Sequence, residues 1–280
     1  MIINADSLLP HLREKVRPSQ SDTSRHLLCP HCVIRTRLNT LGDGRRKCTT
    51  CGKKFRIHKV TANNKLQQCA EILLCFCLDF SAHRASQITH HRYRLIVDFY
   101  DDFRKLLAER NLPHEKILLL ETHAGRSQGL DEQSRCRWCG SAIRSGAGRP
   151  PVFGVRLGSG GTVYINPLND DEAMAHFPAS GTREVTAESG EGYAGFICCG
   201  KFHGCAEEEK AKEAAEELWA WIRERAAVHH GIWKRNTGFY LKELEWKYNN
   251  RLLDPDMQGQ KIIGLMSMDF LNGRVVKTED

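Results

Sequence analysis

The chain has 280 residues, of which 41% are hydrophobic and 27% charged, with 23 glycines and 9 prolines. This composition is typical of a globular protein and excludes a disordered, collagen-like or low-complexity chain. No apolar run approaches the ~18 residues that a membrane span needs. The first residues lack the basic and then apolar pattern of a secretion signal. We therefore expect a cytoplasmic protein without a membrane partner.

Positive charge is concentrated at the front of the chain. Residues 1–61 contain 13 Lys/Arg and 4 Asp/Glu, whereas the whole chain has a net charge of +7. The first 61 residues are thus more basic than the complete chain. A positive excess confined to one small module is typical of a polyanion partner, chiefly nucleic acid. We therefore expect DNA as the partner and the nucleoid as the location.

Four of the twelve cysteines form two CxxC pairs within this basic module. Cys29 and Cys32 are followed, after 15 residues, by Cys48 and Cys51. Each pair places two thiolates on one side of a turn, and two such turns complete a tetrahedral Zn²⁺ site. A redox role for one pair would leave the second pair unexplained and lacks a βαβ context. The spacing predicts a zinc ribbon over residues 26–60, after an N-terminal arm over residues 1–25.

The residues between the two pairs predict two short strands around a Gly-Asp-Gly turn. Basic side chains occupy both strands and the segment that follows them. A metal that only held the module together would not require this charge, so we expect contacts to DNA phosphates. The predicted DNA-contacting residues of the ribbon are Arg35, Arg37, Arg45, Arg46, Lys47, Lys53, Lys54 and Arg56.

A helical DNA-binding segment is predicted over residues 61–113. No Gly or Pro interrupts residues 65–111, and the apolar residues follow helical spacing. They indicate a first helix around residues 72–77, a short second helix over 82–88 and a long third helix from Tyr93. A turn near His90 makes this a helix-turn-helix pattern, with Arg92 and Arg94 at the start of the recognition helix. A small linking bundle would show the same pattern, and both interpretations stay open.

Beyond Pro113 the pattern changes to strands and helices. The apolar run over residues 116–121 predicts a strand buried on both faces. Residues 152–157 and 162–166 predict a hairpin around a glycine-rich turn. A further strand is expected around 183–187, followed by helices near 206–228 and 238–250. This order is compatible with an RNase-H-like mixed sheet, although periodicity alone does not select that arrangement among α/β folds.

Several short motifs follow one another in a recognisable order. The second CxxC pair continues as CGKKF, residues 120–125 are LETHAG, and residues 151–154 are PVFG. Further on, residues 188–193 are ESGEGY, 216–219 are EELW, and 240–249 are YLKELEWKYN. This series resembles bacterial insertion-sequence transposases with an N-terminal zinc ribbon, a helical DNA-binding segment and an RNase-H-like DDE domain. The resemblance extends from Cys29 to Arg251.

The resemblance implies an RNase-H-like α/β domain over residues 114–253, interrupted by a cysteine-containing insertion near 126–150. A C-terminal extension over residues 254–280 follows that domain. In DDE enzymes three carboxylates hold two Mg²⁺ ions for phosphoryl transfer on DNA. The catalytic residues implied by the resemblance are Glu121, Glu188, Glu216 and Arg223. Leu120 occupies the position of the first acid and cannot bind a metal, so we expect impaired catalysis, and Mg²⁺ only where catalysis is retained.

The insertion contains a third CxxC pair, Cys136 and Cys139, which we predict as ligands of a second metal site. Cys198, Cys199, Cys205 or His203 would supply its other ligands, although their spacing is irregular. Two functions of different classes remain open for the chain, and a zinc-ribbon nuclease on the same fold is a third. One is strand transfer at inverted-repeat ends, and the other is DNA binding by a repurposed, non-catalytic transposase. The resemblance also implies a homo-oligomer on DNA.

Overall fold

The computed structural model describes residues 4–16, 26–28, 35–42, 45–55, 59–125, 136, 151–176, 193–204, 209–228, 237–267 and 270. The chain divides into two compact units, one formed by residues 1–99 with 255–280 and the other by residues 100–254. The first unit therefore combines both ends of the chain, which the predicted boundaries had separated. With helices and strands in both units, the protein belongs to the mixed α/β class.

The predicted ribbon region contains a four-stranded sheet in the order β1-β2-β3-β4. Its strands are β1 (His26–Leu28), β2 (Arg35–Thr40), β3 (Arg46–Cys48) and β4 (Lys54–Phe55). β2 and β3 pair antiparallel, with Thr40 opposite Arg46. The predicted pair of short strands between the two CxxC motifs is confirmed.

The helices of the two units account for most of the described chain. They are α1 (Leu9–Val16), α2 (Lys59–Cys77), α3 (Ala82–Thr89), α4 (Tyr93–Asn111), α5 (His114–Gly125), α6 (Asp170–His176), α7 (Glu209–Val228), α8 (Thr237–Asn249) and α9 (Pro255–Leu265). The predicted helices at 72–77, 82–88, 206–228 and 238–250, and the one from Tyr93, are therefore confirmed.

Helix α3 has clear start and stop signals. The Ser81 hydroxyl caps it by accepting the Arg84 N–H at 3.2 Å. Such a cap satisfies one of the N–H groups that a helix leaves without an intrahelical acceptor. The helix ends at His90, whose φ of 59° reverses the chain before α4 begins. The turn predicted near His90 is confirmed.

Helices from the N-terminal and C-terminal regions of the chain pack on α2. Helices α1 and α9 contact each other and α2. Leu8 lies against Gly259, where an added Cβ would be 3.0 Å from the leucine methyl carbons. The Ser7 hydroxyl donates to Asp256 Oδ1 at 2.7 Å, and Lys15 Nζ donates to the Gly264 carbonyl at 2.9 Å. The C-terminal extension is therefore part of the first unit's core.

The second unit is built on a sheet in the order β6-β5-β7-β8. Its strands are β5 (Val152–Leu157), β6 (Val163–Leu168), β7 (Tyr193–Cys198) and β8 (Lys201–Gly204), and each neighbouring pair is antiparallel. The predicted hairpin over residues 152–166 is confirmed. The strand expected around 183–187 lies outside the described residues.

The two faces of this sheet have different partners. Successive side chains of a strand point to opposite faces. Phe153 and Ile197 face a hydrophobic core shared with residues of α5, α7 and α8. Val152 and Cys198 face the other side, where they cluster with Cys136. The cysteines of the second unit therefore lie across the sheet from its main core.

The predicted strand over residues 116–121 is wrong, because this segment lies within helix α5. The Pro113 carbonyl accepts the Lys116 and Ile117 N–H groups at 2.9 and 3.2 Å, which starts the helix. The run KILLLE contains one β-branched residue, and its leucine, lysine and glutamate are strong helix formers. Ile117 and Leu120, three residues apart, are buried, whereas Leu118 is 46% exposed. A short apolar run does not by itself distinguish a buried strand from a helix.

Candidate metal and nucleic-acid sites

The second CxxC pair forms a tight turn between β3 and β4. The Cys51 N–H donates to Cys48 Sγ at 3.4 Å, and the Gly52 N–H donates to the Cys48 carbonyl at 3.0 Å. Gly52 has a φ of 71°, a conformation that glycine adopts without a steric penalty. An N–H that points at a sulfur stabilises the thiolate form, which is the form that binds zinc. The turn therefore presents two cysteines suited to metal ligation.

Several predicted DNA-contacting residues of the ribbon are solvent-exposed. The backbones of Arg35, Arg37 and Arg46 lie on strands β2 and β3. Cys29, Cys32 and Arg56 belong to parts of the chain that the structure does not describe. The exposed basic residues that flank the Cys48 turn are Arg45, Lys47, Lys53 and Lys54.

Helices α2, α3 and the start of α4 are held together by side-chain hydrogen bonds. The Ser86 hydroxyl donates to the His91 carbonyl at 2.7 Å. His91 Nε2 lies 2.8 Å from Glu71 Oε2, and its Nδ1 lies 3.2 Å from Gln68 Nε2. These contacts connect α2 and α3 to the turn that precedes α4. The start of α4 is thereby fixed relative to the two helices before it.

The start of helix α4 exposes basic and aromatic side chains. Arg92 is exposed, and so are 55% of Tyr93 and 85% of the Arg94 side chain. The Arg94 guanidinium pairs with Asp98 at 3.1 Å along its own helix. On α3, Arg84 and Gln87 are also exposed. These two α3 residues were not among the predicted DNA-contacting residues. Their polar side chains on either side of Ala85, which is buried, indicate the exposed face of α3.

The residues assigned to catalysis by resemblance do not form a metal-binding group in the described structure. Glu121 is exposed on α5 and lies 3.5 Å from Lys105 Nζ. Glu216 and Arg223 are exposed on α7. Glu188 falls in the undescribed stretch between α6 and β7. Within the described ranges, the group of three or more potential ligands that could hold a metal consists of cysteines.

That cysteine group consists of Cys136, Cys198 and Cys199, whose sulfur atoms all lie within 4.8 Å of one another. Cys136 and Cys198 Sγ are 3.1 Å apart, and Cys198 and Cys199 Sγ are 3.8 Å apart. Cys136 and Cys198 are buried, whereas Cys199 is half-buried. The group could hold a metal ion. Of the other ligands considered from the sequence, Cys139 and Cys205 lie outside the described residues.

The environment of Cys198 disfavours a free thiolate. Hydrogen bonding with the neighbouring Cys199 thiol, burial and the Cys136 thiol all raise the pKa of Cys198 well above its usual range. A negative charge added here would face other sulfurs in an apolar cluster. A bound cation would compensate the charge of a thiolate at this position.

A second group of buried polar side chains, not anticipated from the sequence, lies on helix α8. Glu243 Oε2 accepts from Arg104 at 2.7 Å, and its Oε1 accepts from Lys247 at 2.7 Å. Burial raises the pKa of the Glu243 carboxyl, but the charges of Lys247 and Arg104 outweigh it and lower that pKa to about 2. The spacing of charges along this helix did not by itself reveal that they are internal.

On the same helix, Lys242 pairs with Glu245, and both are almost fully buried. The Ile165 N–H on β6 donates to Glu245 Oε2 at 2.6 Å, and Lys242 Nζ donates to the Ile165 carbonyl at 3.2 Å. Burial lowers the pKa of Lys242 and raises that of Glu245. The pair thereby connects α8 to the backbone of β6. These buried charges thus have the hydrogen-bonding partners that they need.

Comparison of the chain with protein-family models, curated proteins and solved structures found no match in any of the three. The similarity to insertion-sequence transposases therefore rests on the motifs themselves. No helix within the described ranges is long and apolar enough to cross a membrane.

Proposed function

We propose that this chain is a DNA-binding protein that contacts DNA through a zinc ribbon and a helix-turn-helix segment. The observation that carries the proposal is the Cys48–Gly52 turn, in which a sulfur-directed N–H lies among exposed basic residues. Zn²⁺ bound by Cys29, Cys32, Cys48 and Cys51 would hold the ribbon in one shape. Exposed cationic side chains on a rigid support are suited to phosphate contacts, which position a protein on DNA without reading the sequence.

Sequence preference would come from the helix-turn-helix segment. In this motif the residues at the N-terminal end of the second helix reach the base edges of the major groove. Arg92, Tyr93 and Arg94 are exposed at that end of α4. An arginine there can donate two hydrogen bonds to a guanine. The ribbon would thus supply affinity, and α4 would supply specificity.

Strand transfer by an RNase-H-like domain is the activity that the resemblance implies, and it has little support among the described residues. The segment expected to carry the first acid is helical, and Leu120 is buried in the core. The described strands of the second unit pair only antiparallel. Glu121 and Glu216 lie exposed on different helices. We therefore propose DNA binding without strand transfer, by a protein of transposase descent.

The proposal is tested with labelled DNA duplexes whose sequences come from both flanks of the chain's own gene. Fluorescence anisotropy measures the binding affinity of the protein for these duplexes at several salt concentrations. A scrambled duplex of equal length measures the non-specific affinity. We expect the double variant Lys53→Ala/Lys54→Ala to weaken binding to both duplexes. The slope of log affinity against log salt should fall by roughly one for each phosphate that the variant no longer neutralises. Arg92→Ala should instead reduce the difference between the two duplexes.

The matched control is Lys210→Ala/Lys212→Ala, which removes two charges from the exposed side of α7. This variant should bind like the wild type. Incubation with Mg²⁺ or Mn²⁺ should leave the DNA uncut. Cleavage at one position that disappears in Glu216→Ala would replace the proposal with strand transfer. Absence of binding by the wild type would overturn both functions.

A further inference from the structure

The second unit contains a cluster of three cysteines that is separate from the predicted ribbon ligands. We propose that Cys136, Cys198 and Cys199 bind a Zn²⁺ ion, which connects Cys136 to the turn between β7 and β8. The ion would lie on the sheet face opposite the main core, where these cysteines cluster. This site does not depend on the proposed DNA binding.

The sulfur positions fit a shared ion better than a disulfide. Sulfurs bound to one tetrahedral zinc at ~2.3 Å lie about 3.8 Å from each other. Cys198 and Cys199 have that separation, at 3.8 Å. Cys136 and Cys198 are closer, at 3.1 Å, yet well beyond the ~2.0 Å of a disulfide bond. A disulfide would also use only two of the three converging thiols, whereas a zinc ion uses all three.

The backbone at Cys199 provides an independent argument. Cys198 pairs with Lys201, so Cys199 and Gly200 form a two-residue hairpin loop with φ values of 53° and 71°. Such loops prefer Asn-Gly or Asp-Gly, because both residues adopt positive φ. A left-handed conformation is unfavourable for a cysteine, because its Cβ crowds the following carbonyl oxygen. A metal ion that needs the Cys199 thiolate as a ligand explains why a cysteine occupies this position.

His203 is a candidate for the fourth ligand position among the described residues. His203 lies opposite Phe196, two residues before Cys198, and therefore shares the sheet face of Cys198. Its Nε2 is buried and has no hydrogen-bond partner within the described part of the chain. Cys139 completes the CxxC spacing with Cys136 and lies beyond the described residues. Either group suits zinc, which binds imidazole nitrogen and thiolate sulfur.

The test measures zinc per chain in the full-length protein by plasma mass spectrometry. The informative variant is Cys199→Asn, because asparagine suits the positive φ of the loop but removes the thiolate. We expect two zinc ions per chain in the wild type and one in Cys199→Asn, with the same circular dichroism. Cys136→Ser should also contain one zinc. The variants His203→Ala and Cys139→Ser then identify the fourth ligand by which of them loses zinc.

Two controls separate this site from the ribbon and from general effects of cysteine removal. Cys48→Ser/Cys51→Ser should lose the ribbon zinc and keep the other. Cys75→Ala, which changes a buried cysteine of α2, should keep both. Retention of two zinc ions by Cys199→Asn would overturn the proposal. A disulfide between Cys136 and Cys198 in the purified protein would also overturn it. So would a wild-type protein that contains a metal other than zinc at this site, if Cys199→Asn no longer contains that metal.

Discussion

Leu120 combines two properties that bear on what the protein can do. It stands at the position where the resemblance places the first metal-binding acid, and it is a core residue with 2% of its surface exposed. A Cβ added at Gly238 would lie 2.3 Å from Leu120 Cδ2, so α5 and α8 approach closely at this point. The side chain at this position therefore serves packing, and an acid here would be inside the core.

The variant Leu120→Asp should consequently be strongly destabilised and should not gain DNA cleavage. An unpaired carboxylate in an apolar core costs on the order of 3–5 kcal/mol. Urea denaturation followed by circular dichroism measures the loss. Leu118→Asp is the matched control, because Leu118 lies on the same helix with 46% of its surface exposed. Its stability should change by about 0.5 kcal/mol or less.

A folded Leu120→Asp protein that cuts DNA in Mg²⁺ would contradict this interpretation, because residue 120 would then reach a catalytic metal. The described position of Leu120, close to Gly238 in the core that also contains Phe153, would then be incompatible with the active state.

At the scale of the element, helix α8 is unusual because its polar and apolar residues are all buried from Phe239 to Tyr248. Buried charges are tolerated when they are paired and hydrogen-bonded, and removal of one partner leaves a costly uncompensated charge. Glu243 has two such partners, Arg104 on α4 and Lys247 on its own helix. The ion pairs therefore hold α8 against α4 within the second unit.

This arrangement predicts an acid-sensitive contribution to stability. The pKa of Glu243 is lowered from an ordinary 4.5 to about 2. Its contribution is complete above the unfolded-state pKa and disappears as the pH falls from about 4.5 to about 2. A shift of this size corresponds to about 3 kcal/mol. In Glu243→Gln, we expect lower stability at neutral pH and a weaker dependence on pH in this acidic range.

Unfolding in urea at a series of pH values measures both effects. Glu213→Gln, an exposed substitution on α7, is the control and should follow the wild type. An unchanged pH dependence in Glu243→Gln would mean that another acid dominates the acid response.

At the scale of the whole chain, the first unit is assembled from segments that are far apart in sequence. Ile262, Ile263 and Met266 in the C-terminal region are buried, and so are Leu8 and Leu12 in the N-terminal region. Helix α2 contacts both α1 and α9. The ends of the chain therefore cover apolar surface that α2 would otherwise expose to water.

Truncation of residues 255–280 should for this reason destabilise the first unit. It removes the buried α9 side chains, the Ser7–Asp256 hydrogen bond and the partner of Lys15. Each fully buried aliphatic side chain contributes roughly 1.5–3 kcal/mol. We expect faster proteolysis within α1 and a lower melting temperature, measured by mass spectrometry of the fragments and by calorimetry.

Truncation of residues 271–280 alone is the control. Equal stability of both truncated chains would contradict a core role for α9.

The sequence by itself determined the elements with strong local signals. The breaker-free segment after residue 65 predicted α2, α3 and α4, because helical periodicity persists there over many turns. The Gly-Asp-Gly turn predicted the β2–β3 hairpin, and a glycine-rich turn between two apolar segments predicted the β5–β6 hairpin. The CxxC spacing predicted a ribbon metal site, which stays a prediction, and it singled out Cys136.

Only the tertiary structure decided the features that depend on distant neighbours. The apolar pattern of residues 116–121 does not by itself distinguish a strand from a helix, and in the folded chain this segment packs as α5 against α8 and β6. Glu243 and Lys247 have the i, i+4 spacing of a solvent-exposed pair, and only the contact with Arg104 shows that they are internal. Cys136 and Cys198 are 62 positions apart in the sequence, and their sulfur atoms come together only in the folded chain. Local sequence determines periodicity and turns, whereas burial and ligand sets depend on which surfaces meet in the folded chain.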